Sequence, residues 1–321
     1  MSMGFRSRVI SLCAAIILLT TTLVLGILFS PERLQARTTG KPLLGQGLQV
    51  VGIDIVFKAE ALATLRRQTV GWEAQAEGGR VYPASGERLG IFLRHLAGLT
   101  RGRLASRDSG HFAELGLGED ASRLVLRLAA PKGSAGTERH ITLLVGKRGP
   151  SGDEDYIMVE GENAAYLVRG SLSFFLAQEK SYWYELHVLP DDVQGSTLAA
   201  IRGTYTLSRN SGTQGAPWSL EGDAAQVNQT AAGAMANAWA NLEAEAFADP
   251  APADTSKATG GAGRLAIEVT THEGKKYSLS LRPGPESGKL LVTTSWSPWT
   301  YIVDEAQLRR AILPLASLRS R

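Results

Sequence analysis

ALATLRRQTVGWEAQAEGGRVYPASGERLGIFLRHLAGL, residues 61–99, decides the fold, because the chain carries a second version of it. The partner is YTLSRNSGTQGAPWSLEGDAAQVNQTAAGAMANAWANL, residues 205–242. Both run Thr-Leu-x-Arg, a polar break, Trp, a strand-like run and then a helical pattern entered through Ser or Thr. Trp72 and Trp218, Val81 and Val227, and Leu96 and Leu242 each stand 146 positions apart. A spacing shared by three landmarks points to a tandem repeat, and so to two modest domains in 321 residues.

Around that stretch, residues 50–57 are rich in Val and Ile and read as a strand, with 61–67 as its hairpin partner. Gly71-Trp72 opens another strand. Ser85 is placed to cap a helix running to about Leu99, in which Leu89, Phe92, Leu93 and Leu96 share one face. Strands are predicted at 123–128, 141–145, 156–159 and 166–168, and a short helix at 171–178 closes the repeat. The intervening glycine-containing turns are too short for crossover helices, which makes the sheet an antiparallel meander.

The second copy repeats that order: strands at 197–201, 204–209 and 218–220, a helix at 226–246, and a Pro/Ala/Gly-rich insert at 249–263. Strands at 264–269, 277–281, 290–294 and 301–303 and a helix at 304–313 complete it. The offset drifts to 141 for Arg123/Arg264, 136 for Leu143/Leu279 and 135 for Tyr166/Tyr301, as loop insertions and deletions would produce. In the connector, Tyr182, Trp183 and Tyr184 are adjacent; read as a strand, they face alternate sides and at least one ring packs where the halves meet.

Upstream, VISLCAAIILLTTTLVLGILF, residues 9–29, is 21 residues without a charge. About 20 apolar residues cross a bilayer, whereas a signal-peptide core has ~7–15, so the run reads as an uncleaved anchor. Arg6 and Arg8 before it nearly balance Arg33, Arg37 and Lys41 after it; the length of chain beyond the run then favours residues 30–321 lying outside the cytoplasm. The expected architecture is α+β: an N-terminal transmembrane helix followed by two tandem repeats, each a mainly antiparallel sheet with one long and one short helix. Its parts are the anchor 1–30, a spacer 31–49, repeat one 50–178, a connector 179–195 and repeat two 196–321.

The net charge of +3 and the lack of a basic patch interleaved with aromatics argue against nucleic acid as a partner. Cys13 is the only cysteine, so no intramolecular disulfide forms. Gly284 to Leu290, GPESGKL, imitates a phosphate loop but is one residue short between its glycines and ends in Leu where a hydroxyl is required; Gly146-Lys147-Arg148 lacks the upstream glycine and the hydroxyl as well. The five histidines never fall at zinc-site spacing, and Asp153, Glu154 and Asp155 do not match calcium-loop spacing and read as a solvated turn. No catalytic residue, cofactor or metal ligand is therefore expected, although a Ser-His-Asp set assembled in space stays open. Trp296, Trp299 and Tyr301, in SWSPWTY (295–301), form the candidate surface for a protein partner or a glycan, with core packing as the other reading.

The order of Leu-x-Arg, Trp, a long helix, Leu115-Gly116-Leu117 before a strand, Leu144-Val145-Gly146-Lys147, Tyr156 and Tyr166 resembles the bacterial domain-of-unknown-function 4340 family. The connector 182–190, a second Leu207-x-Arg209 and Trp218 extend the likeness over about residues 50–315. The second repeat departs from the first in lacking the Leu-Gly-Leu turn. The resemblance implies an anchored protein facing away from the cytoplasm, often found beside ABC-type transporter components similar to gliding-motility auxiliary proteins. It supplies no catalytic residues. The expected function is a non-catalytic, single-pass accessory or scaffold protein of the bacterial cytoplasmic (inner) membrane. It is held through residues 9–29, faces the periplasm or cell exterior, and has ABC transporter subunits as partners. An envelope glycan-binding module and an undetected hydrolase are the alternatives.

Overall fold

The computed structural model describes residues 18–22, 40–45, 48–129, 139–190, 192–209, 215–223, 226–248 and 265–320. The chain divides into two compact units, with the boundary between Tyr184 and Glu185, and each is built on one antiparallel sheet.

The first unit contains β1 (Val50–Phe57), β2 (Glu60–Arg67), β3 (Trp72–Gln75), β4 (Val81–Pro83), α1 (Gly86–Gly98) and β5 (Arg103–Ser106). These are followed by β6 (Ser122–Leu128), β7 (Arg139–Arg148), β8 (Glu154–Val159), β9 (Ala165–Arg169) and α2 (Leu172–Leu176), in the sheet order β4-β3-β2-β1-β6-β7-β8-β9-β5. The second unit contains β10 (Leu198–Arg202), β11 (Thr206–Ser208), β12 (Ser219–Leu220), α3 (Gln229–Ala240) and β13 (Ala246–Phe247). It continues through β14 (Leu265–Thr271), β15 (Lys276–Pro283), β16 (Lys289–Thr294), β17 (Thr300–Asp304), α4 (Glu305–Ala311) and α5 (Leu315–Leu318), in the order β12-β11-β10-β14-β15-β16-β17-β13.

With β4 set aside, the two sheets are wired identically, and their registers agree in detail. Ile53 lies between Leu65 and Leu126, and Ile201 lies between Leu207 and Val269. Tyr166 faces Ile157 as Tyr301 faces Val292, both pairs 135 positions apart. The first strand of each unit bulges at the same place, between Val50 and Gly52 and between Leu198 and Ala200. Alternation along these strands sends Ile53, Ile55, Leu124 and Leu126 in one unit, and Ile201, Ile267 and Val269 in the other, into the cores.

The long helices are equivalent at a spacing of 143, not 146. Ser85 Oγ accepts from Arg88 N at 3.4 Å, and Asn228 Oδ1 accepts from Ala231 N at 3.1 Å, so the second helix is capped by an amide where a hydroxyl was expected. The buried face of α1 is Leu89, Phe92 and Leu96, and that of α3 includes Ala232, Met235 and Trp239. Leu96 therefore corresponds to Trp239, and Leu99 to Leu242: Leu99 N bonds Leu96 O as Leu242 N bonds Trp239 O. The helix expected to 246 stops at Ala240 because the next residues pair as extended chain, with Val188 N on Leu242 O and Ala244 N on Leu186 O.

Among the described residues the second unit has no strand answering to β4, and one side chain bonds the peptide of the equivalent tryptophan. In the first unit Trp72 O accepts from Ala84 N at 2.9 Å. In the second, Gln229 Oε1 accepts from Trp218 N at 2.7 Å and Gln229 Nε2 donates to Trp218 O at 2.9 Å, so a side-chain amide stands in for a peptide.

Two further expectations are corrected. Lys180–Trp183 is a turn of 3₁₀ helix, not a strand, and its aromatics pack into the first unit: Trp183 is edge-on to Phe92 at 5.2 Å, and Tyr184 to Tyr82 at 5.2 Å. The spacer ends earlier than Gln49. Gly40 N bonds Arg101 O, Arg101 N bonds Lys41 O, and Leu43 N bonds Leu99 O, which pins residues 40–45 to the loop after α1 with Leu43 and Leu44 buried. Covering two leucines outweighs the extended freedom that Pro and Gly suggested.

Among the described residues no helix is long and apolar enough to cross a membrane, so the transmembrane helix expected at 9–29 has no support from the fold. Only 18–22 of that run are described, and they are helical; the remainder, the spacer up to residue 39 and the insert 249–263 lie outside the described residues.

Candidate functional site

A concavity lies in the first unit. One wall is the edge of α1 that carries Leu93, Leu96 and Ala97; Leu126 of the sheet, Trp72 at the start of β3 and the entering segment with Pro42, Leu44, Leu48 and Val50 complete it. These surfaces enclose about 590 Å³. Leu93 belonged to the apolar face read from the sequence, yet it is only half-buried because it faces this space. Arg67, the last residue of β2, is the one charged side chain among the described lining residues. It is exposed, and its guanidinium makes no hydrogen bond, ion pair or ring contact among the described residues. The site was missed in the sequence because it depends on where 42–50 lies. The repeated Arg and Trp, 67 with 72 and 209 with 218, were the available signal.

The aromatic cluster at 295–301 is divided by the hairpin that carries it. Trp296 packs edge-on against Tyr277 at 5.3 Å, and Trp299 leans toward Phe247 at 5.7 Å, so they turn to opposite sides of β16 and β17. Tyr301 is 3% exposed, held against Phe247 with its hydroxyl 3.1 Å from Ser297 Oγ. The structure therefore leaves two half-buried indoles and one core tyrosine, not a single exposed platform.

A family model described as a domain of unknown function (DUF4340) matches residues 72–261, more than half of the chain. The chain belongs to the DUF4340 family. No curated protein and no solved structure matches it. The DUF4340 match contains Trp72, both long helices and Trp218, whereas Arg67 and the 295–301 cluster fall outside it.

Two DUF4340 motifs named from the sequence touch each other. Lys147 N donates to Leu115 O at 2.9 Å, and a Cβ added at Gly146 would come 2.3 Å from that same oxygen. Gly116 adopts φ +76, and a Cβ there would meet Lys147 N at 2.9 Å. The contact seats Leu117 on Met158 and Ala165. Gly146→Ala is expected to lower stability by about 1–3 kcal/mol through overpacking, read as an earlier urea midpoint.

The phosphate-loop imitation is the β15–β16 hairpin turn: Gly284 N bonds Lys289 O, and Lys289 Nζ is held by Glu245 at 2.6 Å and Asp304 at 3.2 Å. Asp155, read as part of a solvated turn, is fully buried in β8, where it accepts from Ser173 N at 2.7 Å and Ser173 Oγ at 2.8 Å. Among the described residues no group of three or more His, Cys, Asp or Glu is placed to hold a metal.

Asp54 on β1 bonds Arg66 Nη2 at 2.9 Å, and Arg127 Nε and Nη2 at 3.0 and 2.9 Å. Burial works to raise its carboxyl, but hydrogen bonds and charge from Arg127 and Arg66 outweigh it and hold the pKa below 3.8. A depressed folded pKa gives stability that is present above the unfolded value and lost as pH falls through the folded one. Acid titration of denaturant midpoints is thus expected to show a loss below about pH 4 that is smaller in Asp54→Asn.

Proposed function

We propose that this DUF4340 protein is a non-catalytic, membrane-anchored accessory or scaffold protein that works outside the cytoplasm with an ABC-type transporter or envelope assembly of the bacterial inner membrane. The observation that carries this reading is the docking of residues 40–45 on the first unit. Residue 40 is eleven positions beyond the end of the uncharged run, a length of chain that extends to about 40 Å at most. A body whose fold begins within that reach of an anchor is kept beside a bilayer, suited to holding a partner. Groups that would draw attention as catalytic have structural work instead: Asp155 serves α2, and Tyr205 Oη donates to Leu313 O at 2.6 Å. An envelope glycan-binding role for Trp296, Trp299 and Tyr301 has less support, because Tyr301 is in the core.

The expected result on fractionation is that the chain stays with membranes through a carbonate wash and leaves them in detergent, while deletion of residues 9–29 makes it soluble. Crosslinking in cells followed by detergent capture is expected to enrich transporter permease and ATPase subunits. A wild-type chain recovered as soluble, or captured with no membrane protein, would overturn the proposal.

A further inference from the structure

We infer that the cleft of the first unit binds a single-chain amphiphile with one anionic head, a fatty carboxylate. Its chain lies against Leu93, Leu96 and Leu126, and its head sits on the Arg67 guanidinium.

The second unit provides an internal comparison. Arg67 and Arg209 hold the same position, each two residues beyond a leucine, Leu65 opposite Ile53 and Leu207 opposite Ile201. Trp72 and Trp218 likewise stand two residues before the partners of those leucines, Ala74 and Leu220. In the second unit this pair is shut. Arg209 stacks on Trp218 at 4.5 Å, donates from Nε to Leu198 O at 2.6 Å, and from Nη2 to Gly195 O at 3.0 Å and Ser196 O at 2.7 Å. Trp218 is only 6% exposed, and Gly195 lies so close to α3 that a Cβ would be 1.9 Å from Asn237 Oδ1.

In the first unit the same arginine makes no such bond to the described residues, Leu48 and Val50 among them. Val50, the register counterpart of Leu198, stands off with Leu48 as a wall of the open cleft. A side chain that serves elsewhere in this protein as an internal plug is here, among the described residues, a donor fork without a partner at the mouth of the cleft. A guanidinium does not lose its proton, so it remains a cation in want of an anion, and its geometry matches a carboxylate bidentately. The cleft's volume of about 590 Å³ falls within the ~300–1,000 Å³ usual for small-ligand sites. Among the described lining residues the side chains are apolar apart from Arg67 and Gln49, which suits hydrocarbon for the remainder of the ligand. One cation and one cleft fit one head and one chain.

The test uses the full chain in lipid nanodiscs and dodecanoate carrying a diazirine at its far end, with photolabelled peptides mapped by mass spectrometry. Adducts are expected on peptides spanning 42–50 and 86–98. Leu93→Trp, which fills the cleft, should remove them, and Arg67→Ala should lower their yield about tenfold at limiting probe, the scale of a lost charged hydrogen bond. The matching diazirine alcohol should label the same peptides without sensitivity to Arg67, and inorganic phosphate should not compete. Labelling spread over the chain, labelling that survives Leu93→Trp in a protein of unchanged circular dichroism, or equal yields with and without Arg67 would each overturn the inference. The inference concerns the first unit alone, so such a failure would leave the proposed tethering standing, and a soluble wild-type chain would leave the cleft's chemistry untouched.

Discussion

Trp183→Ala is expected to destabilise the first unit by about 3–5 kcal/mol, the scale for truncating a large aromatic in a core that only partly collapses. Trp183 is 1% exposed, and its ring is edge-on to Phe92 at 5.2 Å and to Tyr182 at 5.0 Å. Its carbonyl accepts from Ser85 N at 2.9 Å, so the 3₁₀ turn also fixes the residue that caps α1. Removing the ring thus opens a cavity and loosens the start of α1. The indole Nε1 makes no hydrogen bond among the described residues, so Trp183→Phe, which keeps an apolar ring and leaves a smaller cavity, should cost clearly less than Trp183→Ala. Hydrogen exchange resolved by peptide is the measurement, with lost protection over 86–98. Equal protection in Trp183→Ala and wild type would refute the packing role given to this ring.

Asp155→Ala is the second large effect. The carboxylate is fully buried and satisfies both the backbone N–H and the hydroxyl of Ser173 at the start of α2. Truncation takes the acceptor from two donors in a half-buried site, at up to about 1–3 kcal/mol each. Asp155→Asn keeps one acceptor oxygen and should lose roughly half as much. The double variant Asp155→Ala with Ser173→Ala should be less damaging than the sum of its parts, because one orphaned donor has gone as well. Thermal unfolding of the four chains decides the matter, and strict additivity would show that the two residues do not act through each other.

Both residues show where a linear reading reaches its limit. The strands with strong alternation, such as residues 50–57 and 123–128, could be placed from the sequence because a half-buried sheet imposes period two on its side chains. Ser85 was recognisable as a cap because a hydroxyl before an apolar face of helical period has one natural use. The edge strands Arg103–Ser106 and Ala246–Phe247 were not, since four and two residues carry too little periodicity to separate them from loop. Asp155 sits among acidic residues and glycines that look like a turn, and only the pairing of Met158 with Ala165 and of Asp155 with Val168 draws it into the sheet. The shared offset found the repeat but misaligned the helix, where Trp239 rather than Leu242 answers to Leu96. A chain shift of three residues leaves the tryptophans in register while moving everything after them. The cleft lies further beyond reach, because it is a difference between two copies of one arrangement and appears only when both are seen folded.

The Gln229 amide that bonds Trp218, just before β12, has a consequence for how the protein behaves when concentrated. An open sheet border is a template on which foreign strands can zip, the first step toward fibres. At Trp218 that border is already occupied by a side chain, so a neighbouring molecule arriving there finds neither donor nor acceptor to capture. Short edge segments are commonly defended with lysine, proline or a twist; here a carboxamide covers the Trp218 peptide, and exchanging it for leucine would bare that peptide again.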